Sequence, residues 1–522
     1  MSWYEEAVFY HIYPLGLCNA PQKNNYGEPV HRLNKIRGWI EHIRKIGCTA
    51  LYIGPLFESS GHGYETTDYY RLDSRLGTNE DLKEFVKECH DKGIRVIFDG
   101  VFNHTGRDFF AFRDLKEHRE NSRYKDWYCN VNFYGNNEFN DGFSYESWGG
   151  YNIMAKLNQR NPEVCRYITD VIRFWVSEFD VDGIRLDAAD VLDFNFMKQL
   201  RQCANSVKED FWLMGEVIHG DYSRWANDET LHSVTNYALH KGLYSGHNDH
   251  NYFEIAHTVK RQLDMCPIDL KLYNFTDNHD VERIMSKLTN KAHYTPVHIL
   301  LYTLPGIPSI YYGSEFGIEG KKTYGTDAPL RPALKLSDYA DAYETNPCTQ
   351  LISALGKIHH DVKELSYGGY KELMLSTGQY AFARDEVIVS VNNADQEAEF
   401  NVPAAEGTYR GALSGKTVKA SEGRLKFKLS GCSGEIWLKD GRTFKPVKKK
   451  IEIKNEKPEM KMPSVSKTQR AGKSFEEMSV EELQCEILER MAKNGPVNDQ
   501  MKRDVMNNIW HDSLVNWVKS FR

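Results

Sequence analysis

Four short segments of the sequence set acids beside groups that could tune them. Asp99 precedes Asn103 and His104, Arg185 and Asp187 lie two apart, Glu216 follows Met214 and Gly215, and His279 directly precedes Asp280. Each segment closes an apolar run of strand length: RVIFDGVFN (95–103), GIRLDAA (183–189), FWLMGEV (211–217) and LYNFTDN (272–278). Taken singly, each acid reads as a capping or salt-bridge group. Gathered with an arginine and two histidines they concentrate buried charge at a cost that points to a site. Residues two apart on a strand share a face, so Arg185 lies beside Asp187, where a guanidinium favours the ionised carboxylate. Asp187 is therefore the candidate nucleophile, and Glu216, between apolar Met214 and Val217, the candidate general acid. That pairing suits glycoside transfer through a covalent intermediate.

The elements that must hold these groups alternate along most of the first 365 residues. VFYHIYP (8–14), ALYIGPL (50–56) and SIYYGSE (309–315) also read as strands, and a weaker one at Ser233–Tyr237 brings the number to eight. Helical spacing recurs between them, as in Leu82, Phe85, Val86 and Cys89, or Val164, Ile168, Val171, Trp175 and Phe179. Asn161-Pro162-Glu163 opens the second of these helices as an N-cap with proline in the first turn. Eight such units predict a closed (β/α)8 barrel, with the strand-end acids at its active face. A doubly wound open sheet is the alternative, but no Gly-rich phosphate loop follows any strand. After His104 the chain runs some fifty residues, rich in aromatic, Asn and Gly residues, before the next predicted helix, which marks an insertion over that face. Past Tyr367 short alternating runs (ELMLST, YAFAR, VIVSVNN, AEFNV, RLKFKL, EIWLK) predict an antiparallel sandwich.

Residues 439–473 carry a net charge of +8 and read as a solvated linker rather than a polyanion site. Ser479 with Glu482 makes a capping box, Gly495-Pro496 stops that helix, and a second starts at Asn498 with Trp517, Val518 and Phe521 on its apolar side. Two short helices make too small a core of their own, so the tail is expected to bury its faces on other protein, with self-association into a homo-oligomer favoured.

DGVFNH (99–104), DGIRLDAAD (182–190), MGEV (214–217) and FTDNHD (275–280) together resemble the four signature regions of glycoside hydrolase family 13, the α-amylase family, in the family's order. HGYETTDY (62–69) is similar to a further family stretch, with Glu65 where the family has Asp. The resemblance covers about residues 1–440. It implies a TIM barrel of α/β class in two parts (1–103 and 157–366), a domain B insertion (104–156) and a domain C sandwich (367–439), followed by the basic linker (440–473) and helical tail (474–522). It implies Asp187 as nucleophile, Glu216 as general acid/base and Asp280 as stabilising acid, with Tyr64, His104, Arg185 and His279 gripping the sugar. MAKLN (154–158) and Ala188 resemble the neopullulanase and cyclomaltodextrinase group, which acts on α-1,4 linkages; Asp190-Val191 and Ile218 depart from related patterns on the leaving-group side. The expected activity is retaining hydrolysis of α-1,4 linkages in maltodextrins or cyclodextrins. A transglycosylase (4-α-glucanotransferase or sucrose-type) with the same triad is the alternative, and a silent glucan-binding protein a further one. No cofactor is required. Calcium stays open, since Asn103 matches a ligand position in calcium amylases while no EF-hand-like acidic run occurs.

Composition narrows the partners. A net charge of −7 argues against a nucleic-acid binder, and a mean hydropathy of −0.59 against a membrane protein. The apolar stretch 297–312 contains Pro305 and Pro308 and is short for a span. The acidic N-terminus is unlike a signal peptide, and ten cysteines without zinc spacing read as reduced thiols, so the expected location is cytoplasmic.

Overall fold

Alternation along the strands sorts side chains into two cores. On β1 (Phe9–Ile12), β2 (Ala50–Ile53) and β3 (Arg95–Gly100), Phe9, Tyr52 and Ile97 point to one cluster while Tyr10, Leu51, Val96 and Phe98 point to another. The first cluster fills the inside of a barrel, joined there by Trp212, Met214 and Tyr273; the second packs between strands and surrounding helices. The computed structural model in which this is seen describes residues 2–265, 271–323, 326–439, 451–455, 466, 470, 472–507 and 511–521.

The barrel continues through β4 (Gly183–Leu186), β5 (Trp212–Gly215), β6 (Ser233–Val234), β7 (Tyr273–Phe275) and β8 (Ile307–Tyr311). All pair in parallel, in the order β6-β5-β4-β3-β2-β1-β8-β7, and a parallel bridge from Thr235 to Tyr273 closes the ring. The eight strands expected from the sequence are thus those found. Helix Asn79–Asp91 is capped by a Thr78–Asp81 box and buries Leu82, Phe85, Val86 and Cys89. Helix Pro162–Phe179 starts on the Asn161 side chain, which accepts from the Glu163 amide, and ends at Asp180 in the left-handed region. The apolar stretch 297–312 divides between helix Tyr294–Thr303 and β8, and among the described residues no helix is long and apolar enough to cross a membrane.

The insertion after β3 is closed at its neck by antiparallel pairing of His104–Gly106 with Met154–Lys156. It contains a helix, Phe110–His118, which the sequence reading left out: its N-cap is Phe109, with no capping side chain, so no start signal precedes it. Phe112 of that helix packs edge to face with Tyr128 and Tyr145 and lies tilted against Phe143, and Arg107 pairs with Asp141 at 2.7 Å through both terminal nitrogens.

The sandwich has eight strands between Tyr370 and Lys439, six in one sheet and two, Ala398–Pro403 and Arg424–Leu429, in the other. Gly407–Gly411 and Thr417–Ala420 were absent from the expected set, because between them they offer only Tyr409, Val418 and Ala420 to the core. Most of the basic linker lies outside the described residues. Within it, Ile451 and Ile453 pack against the main core and Asn455 accepts from the Lys291 amide, so this part lies on the protein rather than in solvent.

The tail comprises helices Val480–Asn494, Asp499–Asn507 and His511–Ser520. Met478, Leu483, Ile487, Met491, Val505, Leu514, Val515 and Val518 form a core of their own. The premise that these faces need an outside surface is corrected: they are covered mainly by one another.

Candidate active site

Backbone register sets the heights of the charged groups. Asp99 is opposite Arg185, Arg185 opposite Met214, and Leu186 opposite both Gly100 and Gly215. Asp99 shares parity with inward Ile97, Arg185 alternates with outward Ile184 and Leu186, and Glu216 follows the parity of inward Met214. Side chains from three neighbouring strands therefore meet at one level of the barrel mouth. Gly54 lets this happen: a Cβ there would lie 2.3 Å from that of Asp99.

Arg185 is the hub. Its Nη1 lies 2.8 Å from Asp99 and 2.9 Å from Asp187, and its Nη2 2.8 Å from Glu216. Glu216 Oε2 also accepts from the Ala188 amide at 3.1 Å, which is turned toward it by a left-handed backbone at Ala188 (φ 48°). Asp280 belongs to a second cationic group: its Oδ2 is 2.9 Å from His279 Nε2 and its Oδ1 2.7 Å from Arg331 Nη2. Tyr64 links the two. Its hydroxyl donates to Asp99 at 3.1 Å and meets His279 Nε2, and its ring lies parallel to that of His279 at 5.6 Å. Behind Tyr64, His104 Nε2–H donates to the Tyr64 carbonyl at 3.1 Å, leaving Nδ1 to accept from Asn103 at 3.2 Å. All seven residues singled out from the sequence (Tyr64, His104, Arg185, Asp187, Glu216, His279 and Asp280) thus meet at one place.

Three acids crowd one buried guanidinium. Burial pushes the Asp187 carboxyl well above the ordinary range; Arg185 pulls it down, while Glu216, Asp99 and Asp280 push it up. The expected pull of Arg185 on Asp187 is present, but burial and the neighbouring acids outweigh it. Burial would also raise Asp280, but His279 and Arg331 outweigh it and hold that group well below the usual range. Burial lowers His104 to about 3, so it is neutral near pH 7.

Three partners went unread in the sequence. Arg331, which also donates to the His279 carbonyl at 3.0 Å, follows a short turn in a stretch with no periodicity, so spacing offered no signal. Tyr237 donates to Glu216 at 3.2 Å and accepts from Asn278 at 3.1 Å; it closes the expected strand Ser233–Tyr237, and the strand-end rule would have reached it. Tyr52, inward on β2, donates to Asp99 at 2.9 Å and was legible from parity alone.

The acids open into a cleft of about 1640 Å³, larger than a site for one small molecule requires. Exposed Trp148, Tyr151 and Ile153 from the insertion form part of its wall, and exposed Val191 and Ile218 lie beside the acids. Flat apolar faces alternating with polar groups suit sugar rings, which present apolar C–H faces and hydroxyl rims. Asn103, at the position the resemblance gives as a calcium ligand, has a buried Oδ1 with no hydrogen-bond partner.

Residues 22–365 match the family model described as alpha amylase, catalytic domain. The chain is 30% identical over 433 residues to a cyclomaltodextrinase of Thermoanaerobacter pseudethanolicus, covering 78% of this chain and 73% of that protein. To neopullulanase 2 of Thermoactinomyces vulgaris it is 31% identical over 472 residues, covering 84% and 79%. Among solved structures, a debranching enzyme of Nostoc punctiforme soaked with acarbose superposes with a TM-score of 0.70 at 26% identity, over 83% of this chain and 98% of that one.

Proposed function

Since the chain belongs to the α-amylase family of glycoside hydrolases, we propose that it hydrolyses α-1,4 linkages of maltodextrins and cyclodextrins with retention of configuration. The observation that carries this reading is the sharing of one buried guanidinium by Asp187 and Glu216, which keeps both carboxyl groups at the same point of the cleft. The reaction requires Asp187 as the anion facing Arg185 and Glu216 as the proton donor. Glu216 then protonates the leaving oxygen while Asp187 attacks the anomeric carbon; water, deprotonated by Glu216, releases the sugar from Asp187. Asp280, kept anionic by His279 and Arg331, accepts hydrogen bonds from ring hydroxyls and stabilises developing positive charge. Tyr64 offers its ring to the sugar face, backed by His104, while Arg185 and His279 lie behind the wall and hold the three acids in place. The reaction so read needs no cofactor, and no step passes through calcium.

Transfer to a second sugar is the alternative outcome of the same intermediate, and the exposed apolar pair Val191 and Ile218 beside the acids favours keeping it in view as an acceptor platform. The cellular setting we infer is cytoplasmic, in keeping with a sequence whose cysteines are scattered singly. We also read the tail as a contact between copies of this chain.

Proton NMR of maltoheptaose during the first turnovers tests the mechanism. The α-anomer should appear first; a β-anomer appearing first would reject the two-step route. Chromatography of the same reaction separates hydrolysis from transfer, since transfer yields products longer than the substrate.

A further inference from the structure

A second polar cluster lies apart from the cleft, where the barrel meets the sandwich. His250 follows helix Tyr237–Asn248, His293 ends the turn Lys291–His293, and Asp395 sits on the turn after the sandwich strand Val387–Asn392. One ligand atom from each falls within 4.8 Å of the others, and none of the three lines the cleft.

The chemistry of His293 is the informative part. It is fully buried, and its Nε2 lies 2.9 Å from the Asn393 carbonyl, which only accepts. The proton therefore sits on Nε2, and the lone pair is on Nδ1, which is buried with no hydrogen-bond partner. A donated proton on one imidazole nitrogen and a bare lone pair on the other is how metal-ligating histidines are held. The remaining groups stand beside it. His250 has a left-handed backbone (φ 48°) with its amide bonded to the His247 carbonyl at 3.2 Å, and its ring stands edge-on to His293 with centroids 5.3 Å apart. Asp395 is held by the Asn290 side-chain amide at 3.2 Å. His247, also nearby, is already engaged through both nitrogens, to the Leu243 carbonyl and the Tyr252 hydroxyl.

We propose that His250, His293 and Asp395 bind a zinc ion that clips the barrel to the sandwich. Two imidazoles and one carboxylate select zinc over calcium or magnesium, and water would take the fourth position. Bonds of about 2.0–2.2 Å require the three atoms to draw together, which rotation of the exposed His250 and Asp395 side chains provides.

The full-length protein, stripped of metal by a chelator, should take up one equivalent of zinc chloride in a calorimetric titration, and saturating zinc should raise its Tm. His250→Ala and Asp395→Asn, both at exposed positions that leave no buried cavity, should each weaken that uptake by roughly 100-fold or more. Cobalt(II) in place of zinc should show visible d–d bands without near-ultraviolet thiolate absorption. Three results would each overturn the proposal: no saturable equivalent in the natural protein, unchanged affinity in both variants, or a cobalt spectrum carrying a thiolate band.

Discussion

Arg185 in the barrel mouth and Arg470, at the end of the linker ahead of the tail, are both nearly buried guanidiniums holding glutamates or aspartates, with 3% and 4% of their surface exposed. Their partners differ. Arg470 pairs with Glu486 and Glu489, three apart on one helix, whose side chains remain 22% and 34% exposed. Arg185 meets Asp99, Asp187 and Glu216 at 0%, 11% and 13%, on three different strands. In the tail, water shares in solvating each acid, and two anions around one cation are tolerable. In the barrel the acids have lost that solvent and number three, and Asp187 is pushed upward by burial and by its acidic neighbours. The same side-chain types thus make a structural clasp in one place and, in the other, a cluster that raises one of its own acids. The deciding quantities are exposure and the count of acids per cation.

The contrast is broken most severely by Asp187→Asn. A neutral amide cannot attack the anomeric carbon, so kcat/KM on maltotriose should fall by about 10³-fold or more. Its thermal stability should hold or rise, since one fewer buried acid competes for Arg185. Near-normal turnover, measured as glucose or maltose release, would reject Asp187 as nucleophile.

Arg331→Met acts on the other half of the site. Without that guanidinium at 2.7 Å, burial is opposed mainly by His279, and the Asp280 carboxyl rises from its depressed position. Below its new pKa Asp280 is neutral and no longer stabilises positive charge. The acid limb of the kcat/KM profile should therefore move to higher pH, with a loss on the order of 10²-fold at neutral pH from misplacement of the acid. A loss of activity with the acid limb unmoved would mean that Arg331 shapes the cleft without setting the charge of Asp280.

What could be read beforehand follows a physical divide. Asp99, Arg185 and Glu216 were readable because strand alternation and neighbouring register are local rules, and β3, β4 and β5 are short, apolar and continuous. His279-Asp280 came with β7 for the same reason. Arg331 was not readable: it reaches Asp280 from a turn whose position depends on how a long irregular stretch packs, and spacing carries no trace of that. Helix Phe110–His118 failed for want of a cap, and strands Gly407–Gly411 and Thr417–Ala420 for want of apolar residues. In the tail the apolar stripes and the Ser479 cap were plain, but the partner of each stripe was not. Amphipathic pattern says that a face is covered and leaves open by what.

The smallest effect on catalysis is expected from removing residues 474–522. Every residue lining the cleft lies at or before Arg331, and the tail's principal core, from Met478 to Val518, is internal to it. The deletion should leave kcat/KM on maltotriose unchanged, which is the opposite of what changing the Arg185 cluster does. Its readout is mass. Phe475 and Phe521 pack only in part against the tail core, so aromatic surface remains at its rim for a second copy of the chain to cover. Light scattering should then report a smaller particle for the truncated protein than for the full chain, by more than the lost residues account for. Equal oligomeric states before and after deletion would remove the tail as a contact between copies. A fall in activity at unchanged oligomeric state would instead place the tail against the barrel, and the Arg470 clasp would join the Arg185 cluster in serving the cleft.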